Sequence, residues 1–514
     1  MFRRSVVAAL VAFVFLAGCA SLPPLEGRVE TKAFTDTGDT ILGRAVTQVA
    51  AAHPGKSGIY PVPDPRDALA ARLLLAAAAQ RSIDAQYFVW HADQAGYLLL
   101  EALWQAAERG VRVRLLLDDM YTRGLDATLA AFGTNPNVEV SLYNPFPRRS
   151  ARALDFVTDF ERVNRRMHNK SFTVDNQVAI VGGRNIGNEY FAAGTGVAFT
   201  DLDVIAIGTV VPDISNEFDR YWNSASAYPA GSIVGPPAPS AVEELKRQFS
   251  SADADAESVQ YLDAVRSTPM VRNLVDRTLD LEWTTARLLY DDPAKTLDVT
   301  GRTDVLLLPE LLQTMRRPEA TLDLVSPYFV PGEGGAAALA AAAERGVKVR
   351  VVTNSLSSTD VPAVHAGYAK RRRTLLRAGV HLYELKATQA RVPHGDSSEV
   401  GSTGSAALHA KTFAVDRTRI FVGSFNLDPR SAQLNTEMGL VIESPTLARR
   451  LGEALDAQAP KRAYEVRLKP DGDTIEWIER TPSGEIRYDT EPKTTLSERF
   501  KVELLSLLPI EPLL

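Results

Sequence analysis

The chain is poor in the features that would settle its class at a glance. It has one cysteine, Cys19, among 514 residues, so no disulfide can form within it. Beyond its first residues no apolar run reaches the length that a membrane-crossing helix needs. It lacks an excess of positive charge: 57 Lys and Arg stand against 63 Asp and Glu, a net charge of −6, which argues against a general nucleic-acid binder. Histidine is scarce, with seven in all, and no Cys/His or carboxylate cluster has metal-ligand spacing. What remains is a chain long enough for two or three domains with sizeable cores.

Two of the seven histidines open the same pattern. His168-Asn169-Lys170, then Asp175, then Gly182-Gly183-Arg184-Asn185 reads H-x-K-x4-D-x6-G-G-x-N. His409-Ala410-Lys411, Asp416 and Gly423-Ser424-Phe425-Asn426 repeat it with identical spacing and serine in place of one glycine. Duplicated histidines, lysines and asparagines can converge on one phosphate. The chain therefore resembles the phospholipase D superfamily, whose members share H-x-K-x4-D. Its nearest likeness there is to the cardiolipin synthase C-type branch, carried by HNKSFTVDNQVAIVGGRNIGNEYF, FTDLDVIAIG and VHAGYAKRRRTLLRAGVHLYEL.

The repeat is wider than the motif. Tyr87-Phe88-Val89 and Tyr328-Phe329-Val330 share a separation with the two motif histidines, and Ala107-Glu108-Arg109-Gly110-Val111 recurs as Ala343-Glu344-Arg345-Gly346-Val347. Each half reads strand, helix, strand, which predicts parallel strands flanked by helices. Hairpins are expected around Asp175-Asn176-Gln177 and Asp416-Arg417-Thr418. The expected fold class is α/β: two tandem α/β/α sandwich domains, which the resemblance relates by a pseudo-twofold axis with the active site at their interface. The expected boundaries are a signal at 1–18, a weakly structured leader at 19–58, domains at 59–228 and 261–445, a Pro/Gly-rich linker at 229–260 and a tail at 446–514.

The N-terminus pairs Arg3 and Arg4 with an apolar run from Val6 to Leu16 and then Leu16-Ala17-Gly18-Cys19. Eleven apolar residues are too few to span a bilayer. The site resembles a bacterial lipobox, so cleavage before Cys19 and its acylation are expected. Ala20 after it favours, by the same resemblance, the periplasmic face of the outer membrane.

The chemistry needs a nucleophile, a proton donor for the leaving oxygen and positive donors around the phosphoryl group. The catalytic set expected is His168, Lys170, Asp175, His409, Lys411 and Asp416, with the two aspartates favoured as structural. The resemblance makes His168 the nucleophile and His409 the acid and base. Asn185, Asn426 and Ser424 are expected to bind phosphate, and the resemblance makes Glu437, and by alignment Asp201, the acids that orient the histidines. No metal or cofactor is called for, since the lysines supply the charge. Tyr87 and Tyr328 are read as wall or core. Arg148-Arg149, Arg162, Arg165-Arg166 and the run Lys370 to Arg373 are candidates for anionic head groups, and Ala387 to Ala407 for a lid. A phospholipid is the expected partner and nucleic acid is not, while the oligomeric state stays open. Three functions remain: phosphatidyl transfer making cardiolipin, phospholipase D hydrolysis to phosphatidic acid, and, less favoured, a nuclease or other phosphodiesterase. A non-enzymatic lipoprotein is disfavoured by two intact motifs.

Overall fold

A computed structural model describes residues 21–193, 199–252, 256–275, 278–297, 302–315, 317–387 and 408–514. Cys19 and nearly all of the expected lid (388–407) lie outside them.

The first half holds β1 (Ser57–Val62), β2 (Ser82–Tyr87), β3 (Arg112–Asp118), β4 (Val138–Tyr143), β5 (Ser171–Val174), β6 (Val178–Gly182), β7 (Asp203–Gly208), β8 (Ala227–Pro229) and β9 (Glu282–Thr284). The second holds β10 (Ala286–Tyr290), β11 (Thr321–Val325), β12 (Lys348–Asn354), β13 (His381–Leu385), β14 (Lys411–Val415), β15 (Arg419–Gly423), β16 (Met438–Ile442), β17 (Ala463–Leu468), β18 (Ile475–Thr481) and β19 (Gly484–Tyr488). The sheet orders are β8-β4-β3-β2-β5-β6-β7-β1-β9 and β10-β16-β15-β14-β11-β12-β13-β17-β18-β19. The run β4-β3-β2-β5-β6-β7 in one repeats as β13-β12-β11-β14-β15-β16 in the other. Only three strands of each run are parallel; the motif hairpins β5–β6 and β14–β15 join antiparallel. The sheets are mixed because a two-to-four-residue turn can only return a strand antiparallel.

Strand register corrects one alignment. Asp175 N–H donates to Ser82 O and Asp416 N–H to Thr321 O, so Ser82 matches Thr321. Counting on, Tyr87 matches Ser326, and Tyr328 occupies the place of Val89. Trp90 bridges Ile186 just as Phe329 bridges Leu427, which fixes the same register. The shared Tyr-Phe-Val is a coincidence of sequence. Tyr87 is buried and accepts from Arg72 Nε at 2.9 Å, while the Tyr328 hydroxyl donates to Asp360 at 2.7 Å.

Three expected boundaries change. The leader is not weakly structured: its backbone bonds Asp219, Asn223 and Arg114, Phe34 lies under the Arg112 guanidinium, and Thr40 caps the helix Ile41–Ala50. It then supplies β1, whose edge pairs with β7 and β9. The expected linker begins as β8 and continues as the helices Ala230–Val234 and Ala241–Ala252, whose apolar side Leu245 and Phe249 joins the first core. Pro and Gly there punctuate short elements and do not loosen the chain. The tail pairs β17 onto β13 and so completes the second sheet.

Ile59, Ala179, Val181, Val204 and Ala206 of the first sheet pack in one cluster with Ala414, Ile420, Val422, Leu440 and Ile442 of the second. Alanines on both sides let the two halves come close, and this apolar seam brings the motif ends of the sheets together.

Candidate functional site

The site is assembled from two pairs of short segments that cross the seam. Met167 bridges Thr436, and Leu408 bridges Thr200. His168 N–H donates to Thr436 O at 2.8 Å, and His409 N–H to Thr200 O at 2.9 Å. The residue after each threonine is the acid. His168 Nδ1 therefore lies 2.8 Å from Glu437 Oε2, and His409 Nδ1 2.6 Å from Asp201 Oδ2. Each histidine is oriented by the acid of the opposite half. With Nδ1–H donating to a carboxylate, Nε2 of His168 keeps its lone pair for substrate, while Nε2 of His409 lies 3.2 Å from Lys411 Nζ.

The lysines sit behind the rings. Lys170 Nζ donates to His168 O and Lys411 Nζ to His409 O, which leaves further ammonium hydrogens on each. Lys411 Nζ is also 3.0 Å from His409 Nδ1. Burial, then Lys170 and Lys411, holds the His168 imidazole well below its ordinary range. Burial and Lys411 bring His409 down to about 4. Burial lowers Lys411 to about 8 and pushes Lys170 well down. Burial alone would raise Asp201, but His409 and then Lys411 pull it well below the carboxylate range. Burial pushes Glu437 up to about 7, with Lys170 opposing. Lys411 also lowers Lys170, a repulsion that a bound phosphate would offset.

The halves differ at one position for a steric reason. A Cβ on Gly183 would stand 2.3 Å from Asp201 Oδ1, so this carboxylate requires glycine. Asp201 Oδ1 accepts Leu202 N–H at 2.8 Å, whereas in the other half Ser424 Oγ accepts Met438 N–H at 3.0 Å. The short acid beside glycine takes the place of the serine hydroxyl. The Ser424 hydroxyl is fully buried and also donates to Met438 O, so its expected phosphate contact is corrected: it shapes the backbone under Glu437.

Asn185 accepts Val89 N–H and donates to the Tyr190 hydroxyl, each at 3.1 Å, keeping one amide hydrogen in reserve. Asn426 is buried with Oδ1 unpartnered among the described residues. Asp175 accepts from the backbone of Gln80, Arg81 and Ser82, and Asp416 from Glu319, Ala320 and Thr321. Both aspartates tie the motif turn to the start of the central strand, and their place in the catalytic set is corrected to a structural one.

The basic clusters are also corrected. Arg148 pairs with Asp155, Arg149 with Asp119 and Asp126, Arg162 with Asp159 and Arg166 with Asp118. Lys370 and Arg371 face Glu511, Arg372 pairs with Glu491, and Arg373 faces Asp473. Clusters legible as head-group binders in a linear chain are paired with acids, some close by, as Asp155 and Asp159 are, and others distant in sequence, as Asp118, Glu491 and Glu511 are.

Sequence reasoning missed the walls. Phe88 lies edge-on to His168 at 4.9 Å, Phe199 stacks on His409 at 5.5 Å, and Tyr190 meets it edge-on at 5.1 Å. It also missed a buried network that joins the two halves. Asn169 donates to Glu217 and accepts from the Thr436 hydroxyl, and Gln86 donates to Glu217. Burial pushes Glu217 up to about 8. The Thr-acid pairs at 200–201 and 436–437 were the available signal for the crossing. Among the described residues no group of three or more His, Cys, Asp or Glu could hold a metal ion.

Comparison with known proteins shows the family and the fold. The family model described as cardiolipin synthase, PLD-like domain, matches residues 74–222 and 311–458. The chain is 46% identical over 475 residues to cardiolipin synthase C of Escherichia coli K12, covering 92% of this chain and 99% of that protein. An uncharacterized protein of Helicobacter pylori 26695 is 29% identical over 506 residues, 96% of this chain and 97% of that one. The crystal structure of a phosphatidylserine synthase from Haemophilus influenzae Rd KW20 shares the fold, with a TM-score of 0.55 at 14% identity over 91% of this chain and 100% of the other. With both motif copies joined in one crossed site, the chain belongs to the cardiolipin synthase-like family of the phospholipase D superfamily.

Proposed function

We propose that the protein is a phosphatidyltransferase that makes cardiolipin from glycerophospholipids through a phosphohistidine. The observation that carries this is the pair of imidazoles crossed onto opposite acids, in a chain alike over nearly its whole length to a cardiolipin synthase. His168 Nε2 attacks phosphorus and the bond to the head-group oxygen breaks. His409, protonated at Nε2, gives its proton to that oxygen. The acceptor lipid's hydroxyl then loses its proton to His409 and attacks phosphorus, and the P–N bond breaks to restore His168. Lys170 and Lys411 hold the nonbridging oxygens throughout. An anionic phosphate between the lysines offsets the charge that depresses both imidazoles, so His409 gains its proton as substrate binds.

Among the described residues no helix is long and apolar enough to cross a membrane. Attachment would come from acylated Cys19, on the periplasmic face of the outer membrane. Mixed phospholipids incubated with purified enzyme test the reading: cardiolipin in excess of phosphatidic acid is expected. Phosphatidic acid dominating with phosphatidylglycerol abundant would make the protein a phospholipase D.

A further inference from the structure

The large apolar side chains left in solvent concentrate in two places. The helix Leu496–Ser506 and the residues after it expose Leu496 (79%), Phe500 (67%), Leu504, Leu507 (77%) and Leu508. At 3.6 residues per turn these fall within an arc of about 120°. The opposite side of the same helix is spoken for: Val502 and Leu505 pack on Leu356 and Ala366. The second place is Leu154, Val157 (81%) and Phe160, on the short helices Arg152–Thr158 and Phe160–Val163, with Tyr121 beside them.

Both places belong to the end of the sheets that carries the histidines. Tyr121 packs edge-on against Phe88, which packs on His168. The helix Pro362–Ala369, which borders Leu496–Ser506, starts two residues after Asp360, whose charge is felt at Lys411. Arg430 ties the two places together: it donates to Asn164, at the end of the second short helix, and its backbone N–H donates to Leu514 O.

We infer that these two exposed apolar surfaces are the face by which the enzyme docks onto a phospholipid bilayer, with the paired histidines between them. The inference rests on the phosphatidyltransferase reading. A phosphatidyl group whose phosphorus is bonded to His168 still carries two acyl chains, and drawing them into water is penalised at every methylene. Apolar side chains entering the membrane on either side of the site let the chains stay there. A protein partner covering both surfaces would close the path by which lipid reaches the histidines. An apolar arc on a helix already packed by its other side is the pattern of an interfacial helix.

The full-length protein on phosphatidylglycerol vesicles whose acyl chains carry a diazirine decides this without any variant. After illumination, lipid adducts are expected on peptides spanning 496–513 and 154–160. Adducts confined to other surfaces, such as the hairpin of β18 and β19, would overturn it. So would concentration-dependent protection of 496–508 from hydrogen exchange without lipid, which would assign the surface to a second copy of the chain. In a second arm, Phe500→Asp with Leu504→Asp should reduce turnover of vesicle phospholipid about tenfold or more and leave turnover of a short-chain phospholipid below its micellar concentration unchanged. Undiminished turnover on vesicles counts against the docking face. A wild-type enzyme that turns over neither form defeats the activity reading, and the adduct map still decides the docking.

Discussion

Asp201 and Glu437 show how two residues of different length do one task. Asp201 reaches His409 only because Gly183 leaves room, and Glu437 reaches His168 over Ser424. Gly183→Ser should therefore displace the Asp201 carboxylate and lower kcat. Adding Asp201→Glu, which copies the other half, should restore part of the loss; a double variant no better than the single one would refute this pairing. Asp201→Asn keeps the shape but removes the charge that fixes the His409 tautomer, and kcat should fall about 10²- to 10⁴-fold in a steady-state assay.

Whole elements are held by buried polar groups. Asp175 joins the hairpin of β5 and β6 to β2 through three backbone amides. Asp175→Ala leaves those amides without their acceptor, and a cost of about 2–4 kcal/mol is expected in urea denaturation. The rate per folded molecule should stay within a few-fold of wild type, since Asp175 follows the end of β5 opposite His168 and bonds only backbone. Glu217, on the helix Val211–Trp222, fastens Asn169 and through it Thr436. Its carboxyl titrates at about 8 in the folded protein against an ordinary 4.5. The folded state thus keeps a proton that the unfolded chain loses. The stability this contributes is complete below about pH 4.5 and is lost as pH rises to about 8, by up to about 1.4 kcal/mol per pH unit. Glu217→Gln should remove this slope, read as the difference between wild-type and variant stability across that range.

The molecule has one site made by two halves, and kinetics should say so. His168→Ala and His409→Ala should each abolish turnover, and the double variant should be no worse than either. Half the wild-type rate in a single variant would mean two independent sites. Denaturation in alkali during turnover of labelled phospholipid, which preserves a P–N bond, should leave label on His168 in wild type; label on His409 alone would exchange the two roles.

The duplication and the residue types suited to phosphoryl transfer were legible in the linear chain. Histidine, lysine and asparagine at fixed spacing are local facts, and the hairpins at Asp175 and Asp416 follow from turn residues between β-rich runs. The two acids were legible as well, because each follows a threonine in an aligned segment. The folded chain alone shows which acid lies against which histidine, for that depends on short segments of opposite halves meeting across an alanine-lined seam. It also decided that Ser424 bonds backbone, that the arginine clusters are neutralised, and that the leader and tail are built into the sheets. Most of these depend on partners apart in sequence, whose burial and charge act only once the chain has brought them within hydrogen-bonding distance.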